Sequence, residues 1–109
     1  MIVALFGNLN RERVLIFLYV RGSGNASEIT RFYQTDLSPV QNQLEKLEMG
    51  GILSSRLVGK TRLYEWNPRY PLLLELQSLL EKMWWFYPES EKKKWVSART
   101  RPRRKGKPL

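Results

Sequence analysis

The chain has 109 residues, 19 Lys/Arg against 10 Asp/Glu, a net charge of +9, and neither cysteine nor histidine. That length points to one domain with a modest core, and the missing residue types exclude disulfides, thiolate or imidazole metal sites, Cys nucleophiles and His general bases. The charge is uneven: residues 1–88 carry ten basic and eight acidic side chains, residues 89–109 nine and two, so the C-terminal tail is the part that favours a polyanion.

In chain order, "MIVALF" is apolar but too short for a signal-peptide core, and no cleavage site follows it. "NRERVLIFLYVRG" reads as a helix: Val14, Leu15, Phe17, Leu18 and Arg21 follow the helical period, Asn8 or Asn10 caps its start, and Gly22 stops it. "GSGN" reads as a loop. "ASEITRFYQ" is a second, short helix with Ser27 as its N-cap, Glu28 near the positive end, and Ile29 with Phe32 or Tyr33 facing inward. After a turn at Gln34 to Asp36 comes "LSPVQNQLEKLEM", capped by Asp36 or Ser38. Ser38-Pro39-Val40-Gln41 matches a capping box, and Gly50-Gly51 ends the helix. "ILSSRLVGKTRLYEW" alternates like a hairpin of about 52–57 and 61–66, turning at Val58-Gly59-Lys60. "NPRYP" breaks the pattern, and a long apolar helix runs from about 70 to 86, closed by Pro88. A short helical extension through 89–96 completes the domain, 1–96; the basic tail, 97–109, is expected to be disordered. No apolar run approaches the roughly 18 to 20 residues that span a bilayer.

Projected at about 100° per residue, Val40, Leu44 and Leu47 form one inward stripe. Asn42 and Lys46 fall opposite, Gln41 and Gln43 flank that outer face, and Ser38 and Pro39 lie at its leading end. Carboxamides both donate and accept, which matches base edges in a major groove; Gln or Asn bidentate to adenine is a standard pairing. From Asn25 to Asn67 the chain resembles winged helix-turn-helix regulators of the arsenic-repressor-like (ArsR) type. The resemblance rests on Ser27-Glu28-Ile29-Thr30, Tyr33 to Asp36, Ser38 to Leu44, Leu47 to Leu53, and the wing residues Gly59-Lys60 and Leu63-Tyr64. It implies a mainly α fold with a small β-hairpin wing, in the order α-α-α-β-β-α. Two departures stand out. Gln34 replaces the usual turn glycine and asks for an unusual backbone. Gln41-Asn42-Gln43 replaces the family's Ser-Arg-His, so the family's base preference does not carry over.

Arg56, Lys60 and Arg62 lie on the wing, Lys60 at the tip, and Arg56 and Arg62 are expected to share a strand face and contact phosphates. On the last long helix, Leu72, Leu76, Leu79 and Met83 make one stripe, and Leu73, Leu80 and Trp84 a second beside it. One stripe covers the core; the other is expected to pair two copies, helped by Ile2 to Phe6. The expected function is sequence-specific binding of double-stranded DNA by a small cytoplasmic homodimeric transcriptional regulator, with a protein partner or a small molecule as regulator. No catalytic, metal or cofactor site and no membrane partner is expected. The rivals are a winged-helix protein-interaction module and a non-specific RNA or single-strand binder driven by the tail.

Overall fold

The computed structural model describes residues 3–95. Ile2, Val96 and the expected basic tail 97–109 lie outside the described residues. The elements are α1 (Val3–Phe6), α2 (Leu9–Arg21), β1 (Ser23–Gly24), α3 (Ala26–Tyr33), α4 (Leu37–Met49), β2 (Leu53–Val58), β3 (Thr61–Trp66) and α5 (Leu73–Trp85), followed by a helical stretch at 89–95.

α2 is the central element. Its residues Val14, Leu15, Ile16, Phe17 and Leu18 are all buried, a continuous apolar run that no one-sided helix would carry. It is enclosed by α3, α4, α5 and β1. Asn8 caps it, its Oδ1 accepting from the Arg11 N–H at 3.1 Å.

α3 begins two residues earlier than Ser27 would place it. Asn25 is the cap: its Oδ1 accepts from the Glu28 N–H at 2.8 Å, and its own N–H donates to Glu28 Oε1 at 3.0 Å. That reciprocal pair satisfies two backbone donors that the helix start would otherwise leave open. α4 starts at Leu37 behind Asp36, whose side chain makes no capping bond, so the expected Ser38–Gln41 capping box does not form. Pro39 falls at the third helical position and forfeits no intrahelical bond. The helix ends in a Schellman motif: the Gly51 N–H donates to Glu48 O at 2.9 Å and the Ile52 N–H to Leu47 O at 3.0 Å. The motif requires a positive φ at Gly51, which is 81°.

The sheet is antiparallel, ordered β1-β3-β2. β1 occupies part of the segment read as a loop; two residues are too short to show a period of two. Gly24 on β1 lies against α2 so closely that a Cβ there would stand 2.7 Å from Phe17 Cε1. Trp66 ties β3 to the end of α2, its indole N–H donating to Leu18 O at 3.2 Å.

α5 closes the core with Leu80 and Met83, and Leu76 and Trp84 pack partly buried beside them. It ends at Trp85, before Pro88, and Pro88 O instead receives the Glu91 and Lys92 N–H groups that open the stretch at 89–95. That stretch returns over the domain and buries Trp95, with ring centroids 4.1 Å from Phe32, 5.5 Å from Phe17 and 5.7 Å from Trp84. Burying so much aromatic surface fastens the end of the domain to α2 and α3.

Candidate nucleic-acid interface

α3 and α4 are joined by three residues, and the joint depends on Gln34. Its φ is 54°, left-handed, and its N–H and that of Thr35 return to Arg31 O (3.3 Å) and Thr30 O (3.1 Å). The unusual backbone asked for by a non-glycine at this position is present.

On α4, Val40, Leu44 and Leu47 face the core as expected. Ser38, Gln41, Asn42 and Lys46 are exposed and Pro39 is half-buried at the leading end; Glu45 shares the outer face. Gln43 departs from expectation. It is 5% exposed, and its Oε1 accepts from Arg11 Nε on α2 at 2.8 Å. Position 43 is three beyond Val40 and four before Leu47, so it belongs to the inward stripe; that spacing was the available signal. Gln43 is therefore turned away from any ligand lying on the outer face, and two carboxamides rather than three are presented outward.

The wing also differs in detail. The strands pair Val58 with Thr61, Leu57 with Arg62 and Arg56 with Leu63. Partners across the hairpin share a face and neighbours along a strand alternate, so Arg56 and Arg62 lie on opposite faces rather than one. Arg56 Nε stands 3.4 Å from Glu65 Oε2, with both side chains well exposed; such a pair is worth little and is readily exchanged for a phosphate. Arg62 Nη1 donates to Ser55 Oγ at 3.0 Å, and Ser55 Oγ donates to Glu48 Oε2 at 2.8 Å, linking the wing to the rear of α4. Lys60 is exposed at the tip. Leu57, Val58 and Met49 are exposed apolar residues on this side that the sequence reading did not single out.

At the other end, Leu80 (0% exposed) and Met83 (2%) are covered within the chain and drop out of the expected interface between copies. Leu73, Leu76 and Trp84 are half-buried; Leu72 and Leu79 are exposed, joined by Leu74, Trp85, Phe86 and, near the N-terminus, Leu5 and Leu9. The inward stripe runs through Leu76, Leu80 and Met83, cutting across both stripes drawn from the sequence. Among the described residues no group of three His, Cys, Asp or Glu side chains is placed to hold a metal ion, and no helix is long and apolar enough to cross a membrane.

Two helices joined by a tight turn, backed by a central helix and flanked by an antiparallel hairpin, define a winged helix-turn-helix domain, mainly α. Solved structures with the same architecture include reduced HlyU from Vibrio cholerae (TM-score 0.62, 17% identity, covering 79% of this chain and 84% of that one). The AntR antimony-specific transcriptional repressor matches with a TM-score of 0.58 and 24% identity, covering 84% of this chain and 80% of its own. MepR, a transcription regulator of the Staphylococcus aureus multidrug efflux pump MepA, matches with a TM-score of 0.55 and 15% identity, covering 92% and 80%. No protein-family model and no curated protein sequence matches the chain. At these identities the likeness establishes the fold.

Proposed function

We propose that this chain is an ArsR-like, DNA-binding transcriptional regulator of the cytoplasm, acting as a homodimer. The observation that carries the reading is the outer face of α4. Ser38, Gln41, Asn42 and Lys46 are exposed together on the outer side of a helix whose other side is packed into the core. A helix of this diameter fits the major groove, and its first two turns are the part that reaches base edges. Gln41 and Asn42 read bases there. Lys60 and Arg56 on the wing, and the cations of residues 97–109, bind phosphates and set the salt dependence. Arg62, held by Ser55, braces the wing against α4 and reaches phosphate from that brace.

The second copy packs on α5. Leu79 on that helix and the residues flanking its two ends, Leu72 and Phe86, are exposed at seven-residue spacing, and Leu74 and Trp85 are exposed on another side. A helix apolar on so much of its circumference is normally enclosed. A two-fold axis there would set two α4 helices on half-sites about one DNA turn, ~34–36 Å, apart.

Selection of bound duplexes from a random pool tests this reading. It predicts a consensus with two-fold symmetry that is lost when Gln41 and Asn42 are both changed to Ala. Equal recovery of all sequences, or tighter binding to RNA or single strands, would transfer the function to the basic tail alone.

A further inference from the structure

Gln43 occupies a core position. Val40, Leu44 and Leu47, which share its face of α4, are all buried apolar residues. A leucine at 43 would add apolar contact with no polar group to desolvate, whereas a buried carboxamide costs free energy unless it is hydrogen-bonded. Here it is bonded, by Arg11 Nε at 2.8 Å, from a residue 32 positions earlier in the chain. The backbone of Arg11 is anchored: its N–H is held by the Asn8 cap, in the first turn of α2.

Apolar packing sets how close two helices lie, but its contacts are non-directional and tolerate small rotations about the helix axis. A hydrogen bond is directional and weakens steeply with misalignment. The difference matters at the outer face. A side-chain tip about 5–6 Å from the axis moves by about 2 Å for a rotation of about 20°, enough to break a contact to a base edge. Glu48, bonded through Ser55 to Arg62, holds the rear of α4 to the wing; nothing comparable except Gln43 holds its front half among the described hydrogen bonds.

We propose that the Arg11–Gln43 hydrogen bond sets the rotation of α4 about its own axis, making both side chains positioning residues for duplex discrimination although Gln43 faces away from DNA. The proposal rests on the reading of α4 as the base-reading helix. Its test is a pair of variants. The double variant Arg11→Met, Gln43→Leu replaces both partners by apolar groups of similar size. Gln43→Glu, with Arg11 retained, keeps the bond and adds charge to it. Each is compared with the unaltered chain on the duplex that chain selects and on a random duplex, and each is unfolded in urea.

The double variant is expected to fold with stability close to the parent's, because Gln43 is buried and Arg11 half-buried, and exchanging both partners of such a hydrogen bond for apolar groups leaves no polar group unpaired. Its preference for the selected duplex is expected to fall at least about tenfold, comparable to losing one base contact. Gln43→Glu is expected to keep the preference. Undiminished preference in the double variant would overturn the assignment, and so would collapse of its fold, which would make the pair a stability element. Loss of preference in Gln43→Glu as complete as in the double variant would overturn it too. If the unaltered chain selects no duplex, the DNA reading falls and this inference falls with it.

Discussion

At the scale of single residues, Gln34 shows how much the turn asks of the sequence. An L-residue held in the left-handed region is disfavoured by about 1–2 kcal/mol, and glycine avoids that while losing more freedom on folding, about 0.5–1 kcal/mol. Gln34→Gly is therefore expected to raise stability by roughly 0.5–1 kcal/mol in a urea titration, and the β-branched Gln34→Val to lower it by more than about 1 kcal/mol. Equal midpoints for all three would mean that φ at this position, 54° here, is not maintained in solution. This feature was legible, because a glutamine stood where the resembling family carries glycine. Gln43 was less so. Its side-chain type argued for the surface while its spacing from Val40 and Leu47 argued for the core, and only a partner on α2, unseen in the local sequence, settles such a conflict. The cap of α3 was readable: Asn25 with Glu28 three residues on is a capping-box pair, and Ser27 drew attention from it.

At the scale of elements, the long periodic segments were the legible part and their mutual orientation was not. The apolar run of α2, the twin-glycine end of α4 and the hairpin all stand in the sequence. The opposite faces of Arg56 and Arg62 follow from the Val58–Thr61 pairing, which local alternation does not reveal. α5 offered several apolar stripes, and choosing among them requires knowing where α2 lies. With the inward stripe taken by Leu76, Leu80 and Met83, the surfaces left for a second copy can be tested separately from the core. Leu79→Glu and Phe86→Glu together are expected to convert a dimer to a folded monomer, read by sedimentation with unchanged helical circular dichroism. Leu80→Ala, by contrast, empties part of the core and is expected to lower stability by about 2–5 kcal/mol. Retention of a dimer in the Glu variant would move the interface elsewhere on the molecule.

At the scale of the whole molecule, the polar ties between elements make stability depend on pH in a predictable direction. Burial, and then the neighbouring Tyr87, push the Tyr33 hydroxyl above its ordinary value. Burial, and then the bond its hydroxyl donates to Glu12, do the same for Tyr87. In the unfolded chain these hydroxyls ionise near 10.0. The folded state holds its protons longer, so the unfolded state binds fewer of them above that value and stability falls. Their contribution is complete below pH 10.0 and is lost as pH rises through the raised values. Denaturant midpoints are expected to be level in this respect below that point and to decline above it, less steeply in Tyr87→Phe. The same assembly leaves Gln41 and Asn42 exposed on α4, and that this face meets DNA is the central claim. Because the chain has no cysteine, Glu45→Cys, on the outer face of α4 but outside the pair that reads bases, gives a single attachment point for a DNA-cleaving reagent. Bound to its selected duplex, the labelled chain is expected to cut within the two half-sites, whereas a reagent at Trp85→Cys on α5 leaves them intact. Cutting from Glu45→Cys that is spread evenly along the duplex, or no stronger than from Trp85→Cys, would contradict the account.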